Sequence, residues 1–167
     1  MTAAAIPALP PLTLERPADG PAVDALIERA FGPGRYAKAA ERLREGNAPL
    51  LDLSFVAREG RAIVGCVRMW PVRIGETPAV LLGPFAVDDA CRSQGVGAAL
   101  IARACAAARS AGHGVVVLVG DEPYFGPLGF SRAPNVRMPG PVDQRRVLAL
   151  ALKAGAAEGL AGLARVA

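Results

Sequence analysis

Histidine occurs once in this sequence of 167 residues, cysteine three times, and aromatic residues make up only 5%. Each shortage excludes something. Cys66, Cys91 and Cys105 are odd in number and lack C-x-x-C spacing, so neither a disulfide framework nor a zinc site is expected and no metal ligands are assigned. The formal charge of +4 is mild, and the Lys and Arg residues are scattered without interleaved aromatics, so no nucleic-acid partner is predicted. A small anionic ligand accounts for such an excess equally well. No stretch reaches the roughly 20 uninterrupted apolar residues of a membrane span, because the Ala-rich run from Ala98 is broken by Arg103 and Arg109. Met1 to Pro11 is Ala- and Pro-rich but has no basic start followed by a long apolar core. It reads as a loose leader rather than a secretory signal, and the cytoplasm is the expected location.

What is present is an apolar content of 52% against 20% charged residues, enough for one globular domain over residues 1–167 with an interior of Ala, Val and Leu. Leu12 to Arg16 alternates and predicts a strand; Pro21 to Phe31 carries Val23, Leu26, Ile27 and Ala30 on one face and predicts a helix. Tyr36 to Glu45 is expected to be a second helix, on which Arg42 and Arg44 form a solvated face. From Leu51 the period becomes two. Leu51 to Arg58 and Ala62 to Trp70 predict a hairpin, with Pro71 closing the second strand. Val80 to Val87 reads as a central strand buried on both faces, disturbed by a bulge or splay at Gly83-Pro84. A helix from about Gly95 to Ala111, a Val-rich strand from Gly114 to Val119, a short helix from Glu122 to Leu128 and a strand from Arg146 to Leu152 complete the order. Residues 153–167 are expected to be an irregular extension. The class is α+β with helices on both sides of a mixed sheet.

The chemistry points to Arg92-Ser93-Gln94-Gly95-Val96-Gly97, a glycine-punctuated loop between a buried strand and a long helix. Glycines let the backbone approach an anion, and the unpaired amides and dipole of the helix N-terminus face it. The sequence excludes a P-loop, since Ala98-Ala99 follows Gly97 where Lys-Ser/Thr is required, and it disfavours a dinucleotide fingerprint, because several residues separate the loop from its strand.

Leu82-Gly83-Pro84-Phe85-Ala86-Val87, this loop with Ala98, and Gly120-Asp121-Glu122-Pro123-Tyr124-Phe125-Gly126-Pro127-Leu128-Gly129-Phe130 together resemble the fourth strand, pyrophosphate loop and short-helix motif of the GNAT N-acetyltransferases. The resemblance covers roughly residues 12 to 152. It implies a three-layer αβα fold with a splayed sheet, and acetyl-CoA as cosubstrate bound by the backbone of Phe85, Ala86 and Val87, by Arg92, Ser93, Gln94, Gly95, Val96, Gly97 and Ala98, and by Phe125. It also implies acetyl transfer to a primary amine of a small molecule or protein by direct attack in a ternary complex. The family's proton-donating tyrosine falls at the position of Phe125, and the tyrosine here stands one residue earlier, so Tyr124 is the candidate acid. The substitution leaves open a non-catalytic CoA-binding or regulatory module. Phe31, Arg35, Tyr36 and Trp70 are the candidate acceptor-binding residues, and a homodimer through a sheet edge is compatible with the family. His113 and Cys91 read as a helix-end residue and an inert thiol; Asp88, Asp89, Asp121 and Glu122 read as solvated carboxylates or caps more readily than as a base.

Overall fold

A computed structural model describes residues 8–167, which leaves most of the Ala- and Pro-rich leader outside the described residues. Strands β1 (Leu12–Leu14), β2 (Phe55–Glu59), β3 (Ala62–Ile74), β4 (Thr77–Val87), β5 (Val115–Val119), β6 (Ser131–Arg132), β7 (Val136–Arg137), β8 (Val147–Ala151) and β9 (Gly162–Val166) accompany helices α1 (Gly20–Phe31), α2 (Val96–Ser110) and α3 (Glu122–Phe125). The strands form one nine-stranded sheet in the order β1-β2-β3-β4-β5-β8-β6, with β9 against β3 and β7. Its pairs are antiparallel except β4 with β5 and β7 with β9. No helix among the described residues is long and apolar enough to cross a membrane.

Alternation along the strands sends side chains to two separate cores. One face takes α2, whose Val96, Leu100, Ile101, Ala104 and Ala108 pack on Phe55, Val67, Met69, Val80 and Leu118. The opposite face takes α1, through Val23, Leu26 and Ile27 against Val56, Cys66 and Ala86, and beside it a cluster around Trp70, Leu81 and Val117. The α2 stripe runs on through Ala108, and Gly112, at φ 89°, supplies the left-handed residue beyond the helix end.

The bulge expected at Gly83-Pro84 is present. Val67 pairs with Phe85 and Met69 with Leu82, so one residue of β3, Arg68, faces two of β4. The extra residue resets the alternation of β4: Leu82 packs toward α2, and so does Phe85 three positions later. The expected splay follows. β4 pairs with β5 only at Val80 to Val116 and Leu81 to Val117, leaving Leu82 to Val87 without a ladder on that side.

Four expectations need correction. Tyr36 to Glu45 is not an α-helix but part of two 3-10 segments, Pro33–Ala37 and Ala39–Leu43, separated at Lys38, whose backbone is extended. Only Ala39, Ala40 and Leu43 are buried there, too little apolar surface to hold a longer α-helical face. Leu51 to Leu53 is likewise a 3-10 turn, because the Ser54 hydroxyl donates to the Leu50 carbonyl at 2.8 Å and accepts the Met69 amide at 3.0 Å in place of strand pairing. Pro71 does not end β3. Its carbonyl accepts from Asn47 Nδ2 at 2.9 Å on the side away from β4, so the missing amide also faces away from that ladder. The tail is not irregular throughout: β9 pairs antiparallel with β3 at Val72 to Ile74.

Candidate functional site

Between β4 and α2 the chain makes a 3-10 turn at Asp89–Cys91 and then the loop 92–95. Ser93 (φ 63°) and Gly95 (φ 85°) both adopt left-handed conformations, which turns successive amides toward one side. The Cys91 and Arg92 amides donate to Asp88 and Asp89 carbonyls, and the next well-formed backbone bond is from Ala99 to Gly95. The six amides from Ser93 to Ala98 therefore make no well-formed hydrogen bond among the described residues. They include the first amides of a 15-residue helix, where the dipole favours negative charge. Arg92 is largely exposed, its Nε 3.1 Å from the Asp89 carboxylate and donating to the Val87 carbonyl at 3.4 Å.

Gly97 is buried in the first turn of α2, and a Cβ there would lie 2.6 Å from the Tyr124 hydroxyl and 2.8 Å from the Phe85 ring. Phe85 packs against a pair of aromatics, its ring centroid 6.1 Å from Tyr124 and 6.3 Å from Phe125, which lie 4.9 Å from each other. Phe125 is buried over Gly120, while Tyr124 remains 45% exposed. Burial raises the Tyr124 hydroxyl above the usual phenol range, so it stays protonated at neutral pH. The bulge itself is held from behind by the Trp70 indole, which donates to the Gly83 carbonyl.

On the other side of Phe85 and Phe125, the unpaired part of β4 opens onto a cavity of about 400 Å³. Leu82 to Phe85, Leu118 to Asp121, the 3-10 segments after α1 and the loop before β8 form its walls. Four cationic side chains (Arg35, Lys38, Arg44 and Arg146) enter it, against two carboxylates, Asp121 and Asp143. Arg146 Nε donates to Asp121 at 3.0 Å, and Arg145 holds Asp143 with side-chain and backbone hydrogen bonds that keep its carboxyl below the usual range.

A family model described as an acetyltransferase (GNAT) domain matches residues 52–132. An uncharacterized N-acetyltransferase of Escherichia coli, YhbS, is 33% identical over 124 residues, 73% of this chain and 74% of that protein. The chain belongs to the GNAT acetyltransferases. The crystal structure of E. coli YhbS in complex with CoA superposes on this GNAT domain with a TM-score of 0.81 at 29% identity, covering 96% of this chain and 92% of that one. A GNAT acetyltransferase from Brucella melitensis in complex with acetyl-CoA gives 0.67 at 29% identity over 86% and 88%.

Within this GNAT domain the expected site residues divide into three groups. Phe85, Ala86 and Val87 lie on the unpaired length of β4; residues 92–98 form the loop and first helical turn; Tyr124 and Phe125 stand across from both. Phe31 and Arg35 line the cavity. Tyr36 and Trp70 do not: Tyr36 is exposed beside Arg35, and Trp70 is buried behind the bulge. Asp88 caps its 3-10 turn, as expected of a capping carboxylate, and Cys91 donates to Glu59 with its thiol raised by burial. Arg44 was missed by sequence reasoning. It is not on a solvated face, since only 14% of its side chain is exposed, whereas Arg42 is 40% exposed as expected. The α-helical period assigned to that segment gave the wrong face; nothing in the local sequence marks a 3-10 path there.

Proposed function

We propose that this protein transfers an acetyl group from acetyl-CoA to a primary amine by direct attack in a ternary complex. The observation that carries the reading is the row of amides from Ser93 to Ala98 at the start of α2, without a well-formed hydrogen bond among the described residues, next to the unladdered edge of β4. A diphosphate suits the first and an extended pantetheine chain the second. The cradle also fits: any Cβ at Gly97 would fill space beside Tyr124 and Phe85. Arg92, Ser93, Gln94, Gly95, Val96, Gly97 and Ala98 would hold the diphosphate, Phe85, Ala86 and Val87 the pantetheine, and Phe125 would pack beside it. Acetyl-CoA supplies the activated acyl group. The YhbS structure and the Brucella structure, each described as a complex with CoA or acetyl-CoA, support this assignment.

The chain's own contributions are positioning and charge. Amides on the free edge of β4 polarise a carbonyl lying along it and stabilise the oxyanion formed by amine attack. Tyr124, protonated at neutral pH, returns a proton to the departing sulfur. The cavity beyond Phe85 and Phe125 receives the amine, and its volume of about 400 Å³ suits a small molecule or a single residue of a larger one. Phe125 in the family's tyrosine position supports a second reading, a module that binds CoA without turnover. Incubation with acetyl-CoA and a broad amine panel, followed by release of free CoA thiol, separates the two. Amine-dependent thiol release is expected, and tight CoA binding with no release under any amine would select the module.

A further inference from the structure

The cavity lining carries four cationic side chains against two carboxylates. The Arg35 and Arg44 side chains are only 15% and 14% exposed, and the Nε–H of each is buried with no hydrogen-bond partner among the described residues. Buried polar groups are ordinarily satisfied, and charged donors most strictly so. Arg44 gives Nη1 to Glu41 at 3.0 Å and lays Nη2 against Gly83, 2.8 Å from where a Cβ would stand. Arg35 gives Nη2 to the Tyr36 hydroxyl at 2.6 Å, and its Nε, though not hydrogen-bonded, forms an ion pair with the half-exposed Glu28 carboxylate at 3.5 Å. Lys38 stacks on the Phe31 ring at 4.7 Å and has no carboxylate partner among the described residues. Both cavity carboxylates are already engaged, Asp121 by Arg146 and Asp143 by Arg145. Burial lowers the pKa of Arg44, and the neighbouring Arg35 and Arg68 charges push it the same way. An anion in the cavity would offset the positive charge that Arg35, Lys38 and Arg44 bring to its wall, and the terminal guanidinium donors match the two oxygens of a carboxylate or phosphate.

We propose that the acceptor is a small amine bearing an oxyanion, carboxylate or phosphate, held by Arg35 and Arg44 while its nitrogen reaches the free edge of β4. This rests on the acetyl-transfer reading. The anion would sit beside Gly83, two residues from Phe85 and so within roughly 7 Å of it along the strand, which calls for an amine and an anion only a few bonds apart. Polyamines and lysines flanked by basic residues would be repelled by the same charges.

The test compares kcat/KM for amino acids against their carboxamides, for phosphoethanolamine against ethanolamine, and for putrescine. In at least one pair the anionic member is expected to exceed its neutral partner by about tenfold or more, and the pair concerned identifies the oxyanion. Arg35→Gln should erase that preference and Arg44→Lys, which keeps the charge but loses the paired donors, should weaken it, both through the amine KM while leaving the acetyl-CoA KM unchanged. Arg44→Lys keeps the charge beside Glu41, and Arg35→Gln removes a residue whose carboxylate partner is half-exposed, so both variants are expected to fold. Transfer that ignores the oxyanion, or a preference that survives both variants, overturns the inference but not acetyl transfer. Bound CoA with no transfer to any amine overturns acetyl transfer and this inference with it.

Discussion

Tyr124 and Phe125 are neighbours in sequence but serve different spaces. The Tyr124 hydroxyl meets the first turn of α2 at Gly97, while the Phe125 ring lines the cavity and packs at 5.8 Å on Phe130. If Tyr124 returns the proton to the departing sulfur, Tyr124→Phe lowers kcat by about a hundredfold, within the usual range for a general acid, and leaves the acetyl-CoA KM nearly unchanged. An unchanged kcat in steady-state assays would assign the proton to solvent. Cysteine reactivity follows from burial at the same scale. Desolvation pushes Cys66 up to about 12 and Cys105 to about 11, and raises Cys91 with the help of Glu59. All three thiols should therefore react with an aromatic disulfide reagent only on unfolding. One thiol titrating rapidly in the native protein would contradict this. The inertness of Cys91 was legible from sequence; the burial of Arg44 was not, because it depends on a backbone path that the charge pattern does not encode.

At the scale of elements, β1, the turn after it and β2 are tied by one buried carboxylate. Asp19 accepts from Arg58, whose Nε also donates to Thr13 at 2.9 Å. The hydrogen bond from Arg58, assisted by the Arg16 amide, holds the Asp19 carboxyl at about 2. That lies below its unfolded value of about 3.9, so the contact stabilises the fold above pH 4 or so and is lost as the pH falls toward 2. The difference in urea midpoint between wild type and Arg58→Met should accordingly be largest above pH 4 and shrink toward pH 2; a difference independent of pH would exclude the ion pair as its cause. α2 depends instead on apolar packing. Leu100 is fully buried and its Cδ1 would lie 2.9 Å from a Cβ on Gly65, so Leu100→Ala should lower stability by about 3 kcal/mol in denaturant unfolding. The bodies of β3, β4 and α2 could be read in advance because their apolar patterns are long, although the end of β3 could not. β9 could not, since its pairing is set by the register of β3 at Val72 to Ile74, over 80 residues away in the chain.

For the whole molecule, one event links sequence to site: the bulge at Gly83-Pro84. It resets which face Phe85 takes, coincides with the end of the β4 to β5 ladder at Leu81 and Val117, and opens the sheet beside α2. The amides of residues 93–98, which make no well-formed hydrogen bond among the described residues, and the charged cavity lie along this opening. Gly and Pro inside an apolar run announced the disturbance, and the glycine loop is where the chain turns into α2. The cavity was legible only in part, through Phe31 and Arg35, because it is assembled from four separate segments. Isothermal titration of CoA into wild type and into the folded Gly95→Val/Gly97→Val double variant tests the central claim most directly. Gly95 has a left-handed φ of 85° and Gly97 has no room for a Cβ, so the variant should bind CoA at least about a hundredfold more weakly. Equal affinity in the two proteins, or no binding to wild type, would contradict the account.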